Sequence, residues 1–211
     1  MNEVESIVIN LNGYKNVTSS VNKINKLLLE NNINVINFFD NLLSIEKEET
    51  FILMTLIIKK RKLYDIEYFN SYENWLYRYV NTWGKCDAYC YRVINPMIQK
   101  YPELYTNIIN WAKSKLIYVR RASLVCFIIS KNEFEVNYDI DKIFILCDML
   151  KEDKHIHIQK ALGWVLKYTY LTYPKETIEY LNANVTILSR TTFRYALEKM
   201  PKVLKDKMMK L

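Results

Sequence analysis

Two side chains suited to holding a cation lie four residues apart in the middle of the chain. Trp83 and Asp87 project from one face if a helix begins near Thr82. An indole beside a carboxylate attracts a cation through the ring face and through direct charge. The alternative is a structural role for both residues: Trp83 belongs to the core, and Asp87 helps to cap a helix. The spacing by itself favours this alternative.

A second group of side chains could bind phosphate. Arg120 and Arg121 follow a lysine-bearing segment near the predicted start of a helix, where anions are favoured. A solvated basic face is the alternative, and it is the more common arrangement for such spacing. One of two adjacent helical arginines must nevertheless point partly inward, and an inward arginine needs a carboxylate or phosphate partner.

The third group surrounds a glycine inside a helical pattern. Gly163 costs about 1 kcal/mol relative to alanine there, so its presence predicts the close approach of another group, for which a neighbouring helix is one candidate. Trp164 lies between Lys160 and Lys167 on one predicted face. An aromatic ring flanked by two cations is typical of a nucleic-acid surface. The alternative is a core tryptophan with two solvated lysines.

Composition narrows the classes of protein that could carry these groups. The chain has 211 residues with 30 Lys+Arg, 23 Asp+Glu and a net charge of +7, which admits nucleic acid as a partner. Only 3 Gly and 4 Pro leave little room for a β-sandwich or a glycine-rich phosphate loop. No nucleophile elbow, P-loop or dinucleotide fingerprint is present.

Neither a metal site nor a membrane span is predicted. His155 and His157 are two residues apart and have no clear third ligand. The cysteines are interpreted as buried free thiols in a reducing cytosol. They are Cys86, Cys90, Cys126 and Cys147. We therefore expect a cytoplasmic monomer with no metal, no cofactor and no membrane association.

Apolar residues recur at helical spacing along nearly the whole sequence. The pattern predicts about ten helices, with a first 20 residues or so that are poorly ordered or form only a short helix. Helix pairs about 40 residues apart predict an all-α, curved, HEAT-like helical-repeat solenoid with a concave basic face, forming a single domain over residues 1–211. Asp139 or Asp141 is expected to cap a helix after a Lys131–Tyr138 loop, and Asn95-Pro96 to break or kink one.

The order and spacing of these segments resemble those of the AlkD-like DNA alkylation-repair glycosylases, a family of HEAT-like repeat proteins. The matching motifs are Trp83-x-x-x-Asp87, Trp111-Ala-x-Ser, Arg120-Arg121-Ala122, Gln159-Lys160-Ala161-Leu162-Gly163-Trp164-Val165-Leu166 and Leu188-Ser189-Arg190. They cover roughly residues 73–201. The segment around Gly163 and Trp164 is the most specific of them.

The resemblance implies hydrolysis of the glycosidic bond of N3- and N7-alkylated purines in duplex DNA. It implies that Asp87 stabilises the oxocarbenium sugar and positions water, while Trp83 and Trp164 contact the lesion region, and that Arg121 contacts DNA. Further candidate DNA contacts are Lys160, Lys167, Arg190 and Arg194.

Two departures from the family pattern are visible. The family often has arginine where this chain has Lys167, and no Gly-x-x-x-Pro-x-x-Arg stretch precedes residue 70. The sequence therefore predicts an N-terminally short variant of the family. The alternative function is a non-catalytic HEAT-like scaffold that binds DNA weakly or binds another protein.

Overall fold

The computed structural model describes residues 3–130 and 133–210. Backbone contacts divide the chain into two compact units, Met1–Tyr101 and Pro102–Leu211. Apart from one short hairpin, the regular structure of the described residues is helical, which confirms the predicted all-α helical-repeat class. The expectation of a single domain and of a concave basic face remains a prediction.

The first unit contains seven α-helices within its described residues 3–101. They are α1 (Glu3–Ile9), α2 (Tyr14–Glu30), α3 (Val35–Leu43), α4 (Glu48–Arg61), α5 (Phe69–Tyr79), α6 (Trp83–Tyr89) and α7 (Asn95–Lys100). A short helix does open the chain as expected, but the long α2 already begins at Tyr14. Val17, Ile24 and Leu28 explain this, because they form one buried stripe along α2.

A single π-helical turn, Cys90–Ile94, joins α6 to α7. Pro96 has no N–H to donate to the carbonyl of Arg92, four residues earlier. The Tyr64 hydroxyl donates to that carbonyl instead, at 3.0 Å, and the Asn95 N–H reaches back to the carbonyl of Cys90. The predicted break or kink at Asn95-Pro96 is therefore a local widening within one continuous helical segment, which runs from Trp83 to Lys100 and includes Asp87.

The second unit contains helices in successive pairs and one hairpin. The helices are α8 (Tyr105–Ala112), α9 (Ile117–Val125), α10 (Ile140–Leu150), α11 (Ile156–Thr172), α12 (Pro174–Ala183), α13 (Arg190–Ala196) and α14 (Lys202–Met208). The pairs that start with α8, α10 and α12 begin at residues 105, 140 and 174, a shorter repeat than the 40 residues expected. Asp139 caps α10, as predicted, by accepting from the N–H groups of Asp141 and Lys142.

The hairpin corrects the interpretation of residues 128–138. Strand β1 (Ile128–Ser130) pairs antiparallel with β2 (Phe134–Val136), with Ile128 opposite Val136. The helical spacing of apolar residues in the sequence predicts that Ile128 continues the preceding helix, but α9 ends at Val125. The expected Lys131–Tyr138 loop thus contains a strand, while its residues 131 and 132 lie outside the described residues. Pairing with β1 overrides the local pattern, because strand structure depends on a partner.

The helices of the described residues are all too short or too polar to cross a membrane. The four cysteines are buried and free, as the sequence predicted.

Candidate active site and nucleic-acid contacts

In the first unit, the start of α6 presents an exposed indole and a buried carboxylate on one helical face. Thr82 caps α6, its side chain accepting from the Lys85 N–H at 3.2 Å. Trp83 is 59% exposed and Asp87 only 6% exposed. The structural alternative therefore fails for Trp83, which is not in the core, and Thr82 rather than Asp87 caps α6.

Two other side chains of this helical segment are also removed from water, Lys85 fully and Tyr91 in part. Burial lowers the pKa of the Lys85 ammonium, whose Nζ donates to the carbonyl of Tyr79 at 3.4 Å and lies 5.4 Å from the Phe51 ring centre. Burial also raises the pKa of the Tyr91 phenol, and the Asp87 carboxylate raises that pKa further. Asp87 thus lies in a setting of low polarity, where a charge acts more strongly than in water.

Tyr91 and Arg92 extend this site, and the sequence analysis missed both. Tyr91 continues the four-residue spacing of Trp83 and Asp87, which was the available signal. The Arg92 guanidinium donates to the Thr55 hydroxyl at 3.0 Å and to the Tyr14 hydroxyl at 3.4 Å. Its position could not be read from the sequence, because Thr55 and Tyr14 are 37 and 78 residues away.

In the second unit, Arg121 points inward and ties α9 to α11. It is 5% exposed, its Nη1 donates to the carbonyl of His157 at 2.6 Å, and its guanidinium carbon lies 5.9 Å from the Trp164 ring centre. Arg120 is half-buried and pairs with the Asp153 carboxylate at 2.9 Å. The pair is therefore not a solvated basic face, because Arg120 binds a carboxylate and Arg121 binds a backbone carbonyl.

Trp164 is half-buried inside an aromatic cluster. The Phe134 ring from β2 meets it edge to face at 5.5 Å, and Tyr168 lies 6.4 Å away. Together with Arg121, these contacts hold the indole in place. The hairpin therefore serves to position Trp164, a role that the sequence pattern did not indicate.

Gly163 allows α11 and α13 to cross in direct contact. A Cβ at Gly163 would lie 2.5 Å from the Thr192 carbonyl oxygen and 2.5 Å from the Tyr195 Cβ. The Thr192 hydroxyl also donates to the carbonyl of Gln159 at 3.0 Å. The prediction of a close approach at Gly163 is confirmed, and the approaching group is a neighbouring helix.

The candidate phosphate contacts differ in their availability. Arg190 and Arg194 are exposed, and Lys160 is half-buried with its Nζ 6.0 Å from the Tyr195 ring centre. Lys167 forms an ion pair with Glu198 at 2.8 Å, and its side chain is only 12% exposed. The cation that replaces the family's usual arginine is therefore already partnered.

The two histidines organise the start of α11. The His155 Nδ1 accepts from the His157 N–H at 3.2 Å, so His155 is the capping residue of this helix. Within residues 3–130 and 133–210, His, Cys, Asp and Glu side chains form no group of three that could hold a metal ion.

The fold described above is that of an all-α helical-repeat protein. Residues 10–200 match the model of the family described as DNA alkylation repair enzyme. Because the match covers most of the chain, the protein belongs to that family, and its role lies in DNA repair. The match also extends the resemblance, which the motifs limited to residues 73–201, through most of the N-terminal helices.

A solved structure supports the same fold. The chain is similar to a predicted DNA alkylation repair enzyme from Enterococcus faecalis, with a TM-score of 0.68 and 15% sequence identity over 88% of this chain and 86% of that chain. A search of the curated proteins gave no significant match.

Proposed function

We propose that the protein is a monofunctional DNA glycosylase that removes cationic N3- and N7-alkylated purines from duplex DNA. The observation that supports this most directly is the exposed Trp83 indole on the same helical face as the buried Asp87 carboxylate. Family membership supplies DNA repair as the context. The proposal adds to this context the glycosylase activity, the class of lesion and the roles of the residues.

The proposed reaction requires little chemistry from the protein. Alkylation places a positive charge on the purine, so the base departs with the electron pair of the bond between N9 and the sugar C1′ and becomes neutral. The sugar is left as an oxocarbenium ion, and water adds to C1′ and loses a proton. The Asp87 carboxylate stabilises the cationic sugar and accepts that proton.

The two indoles have different roles in this proposal. Trp83 is the more exposed, so its ring face contacts the cationic lesion region by cation–π attraction. Trp164 has the Arg121 cation near its ring and Phe134 at its edge, so it forms a rigid wall. The roles proposed for Trp83, Asp87 and Trp164 in this reaction rest on the family motifs that contain them.

The proposed DNA contacts follow the exposure of the cations. Lys160, Arg190 and Arg194 are available to phosphates. Lys167 contributes only if it exchanges Glu198 for a phosphate. Arg121 acts mainly by holding α11 and Trp164, because its Nη1 is bonded to the His157 carbonyl.

Release of the modified base tests the proposal. Incubation with a duplex containing a single N7-methylguanine should liberate free N7-methylguanine, detected by mass spectrometry, and leave an abasic site. The unmodified duplex should release no base. If the protein binds the methylated duplex but releases nothing over the spontaneous rate, the glycosylase proposal is wrong.

That outcome would favour the second candidate, a non-catalytic DNA-binding scaffold of the same fold. One observation favours this scaffold. Two of the five predicted DNA contacts, Lys167 and Arg121, are bonded to other groups of the protein.

Arg121→Ala should destabilise the protein more than it weakens DNA binding. The change removes a buried hydrogen bond of a charged group and a contact to Trp164, which together should lower the free energy of unfolding by about 2–4 kcal/mol. Urea denaturation measures this loss. The slope of log affinity against log salt should change by much less than the roughly 0.9 expected for a lost phosphate contact. A change in slope of about 0.9 with unchanged stability would instead make Arg121 a direct DNA contact.

A further inference from the structure

Most of the net positive charge of the protein is concentrated in one short segment. Residues 190–210 contain seven of the 30 Lys and Arg residues and two of the 23 Asp and Glu residues. The segment therefore carries +5 of the total charge of +7. The rest of the chain has a net charge of only +2. The moderate overall charge is therefore the sum of a nearly neutral part and a strongly basic segment.

The cations of this basic segment, residues 190–210, are not neutralised internally. None of them forms an ion pair with a carboxylate within the described part of the chain. Of the two acidic residues, Glu198 is bound by Lys167 from α11. The basic residues of the segment are Arg190, Arg194, Lys199, Lys202, Lys205, Lys207 and Lys210, all exposed except the half-buried Lys205.

The basic segment is packed against the rest of the second unit. Helix α13 crosses α11 closely at Gly163. Met208 of α14 is buried, and the Arg190 guanidinium donates to the carbonyl of Met209 at 3.2 Å. These contacts order the backbone, so a partner would meet charges held on a folded surface and would pay little ordering entropy.

Helix α14 turns its lysines to the solvent. Leu204 and Met208 form its inner stripe, whereas Lys202, Lys207 and the following Lys210 are exposed. Lys202 and Lys207 are separated by about 7.5 Å along the helix axis. Phosphates succeed one another by about 3.4 Å per strand along duplex DNA, so these lysines can reach different phosphates.

We propose that the basic segment is a binding surface for the sugar–phosphate backbone of duplex DNA and supplies a large part of the salt-dependent affinity. Lys202, Lys207 and Lys210 are its principal contacts. Only the choice of DNA as the polyanion rests on the proposed function. The surface makes up for Lys167 and Arg121, which are engaged within the protein.

The triple variant Lys202→Gln, Lys207→Gln, Lys210→Gln tests this surface. Each lost phosphate contact should lower the magnitude of the salt slope by about 0.9 and the affinity at physiological salt by about 5-fold. The triple variant should therefore bind undamaged duplex DNA about 100-fold more weakly. Fluorescence anisotropy across a salt series measures both quantities, and thermal melting checks that the fold is retained.

A matched variant controls for the change in net charge. Lys26→Gln, Lys154→Gln, Lys175→Gln removes the same three charges from exposed positions that have acidic neighbours. Lys26, for example, pairs with Glu30 at 3.5 Å. This control should bind DNA within a few-fold of the unchanged protein. Equal losses in the two variants would overturn the proposal, because net charge alone would then explain the effect.

Two further measurements separate this inference from the proposed function. If the unchanged protein releases N7-methylguanine, the DNA concentration that gives half-maximal release should rise in the triple variant by about the same factor as the loss of affinity. If no base is released, the glycosylase proposal fails, while the binding comparison on undamaged DNA still decides the role of the segment. A triple variant that loses binding to phosphatidylserine vesicles but keeps full DNA affinity would overturn DNA as the partner.

Discussion

Asp87→Asn should slow base release by about 10²–10³-fold while DNA affinity and melting temperature change little. The substitution keeps the shape of the side chain and removes its charge. In the proposed mechanism that charge acts mainly in the transition state, where the sugar becomes cationic, and removal of one such electrostatic contact typically has an effect of about this size. Single-turnover release of N7-methylguanine, with protein in excess over DNA, measures the chemical step directly.

Stability and binding show whether the effect is catalytic. Thr82, not Asp87, caps α6, so the loss of a capping carboxylate does not contribute. DNA affinity should stay the same or rise, because a negative charge near phosphates is removed. A slow variant that also melts at a much lower temperature would indicate a structural role for Asp87.

Asp65→Asn is the matched control in the same unit. It makes the same chemical change at an exposed carboxylate, which pairs with Lys100 at 2.8 Å. The release rate of this control should equal that of the unchanged protein. Equal rates for the Asp87→Asn variant and the unchanged protein would rule out the catalytic role proposed for Asp87.

Gly163→Ala should destabilise the protein, although alanine is the better helix former. The added methyl group would lie 2.5 Å from the Thr192 carbonyl oxygen, a backbone atom that cannot move without shifting α13. Overpacking costs about 1–3 kcal/mol, and a contact this short to a backbone atom belongs at the upper end of that range, so the cost exceeds the roughly 1 kcal/mol gained from helix propensity. The melting temperature should fall by several degrees, since a protein of this size loses about 2–4 °C per kcal/mol.

Gly84→Ala provides a control with the opposite expected sign. Gly84 also lies in a helix, α6, but a Cβ there would have no atom within 4 Å. Alanine should therefore stabilise the protein by about 0.4–1 kcal/mol. A Gly163→Ala variant that melts as high as the Gly84→Ala variant would contradict the close crossing of α11 and α13.

The sequence by itself determined the helical class, a cap at Asp139 or Asp141 and the close approach at Gly163. These features depend on local rules: apolar spacing near 3.6 residues, side chains that bind the first N–H groups of a helix, and the cost of glycine inside one. The family motifs were also readable, because the order and spacing of their residues are properties of the chain alone.

Tertiary structure decided how the candidate residues are used. Trp83 is exposed and Asp87 is buried, although a pattern of spacing is silent on which of them faces solvent. The Arg121 cation is bound to the carbonyl of His157 and Lys167 to Glu198, across 36 and 31 residues. Such partners come together only after the helices pack, so spacing along the chain does not reveal which cations remain free for DNA.

The hairpin and the π-helical turn show the same limit. Pro96 signalled an interruption, but the outcome depended on the Tyr64 hydroxyl, 28 residues away from the Arg92 carbonyl to which it donates. Phe134 supports Trp164 only because β2 pairs with β1 and packs against α11. Local sequence determines which backbone groups need a partner, whereas packing between distant segments determines which partner they find.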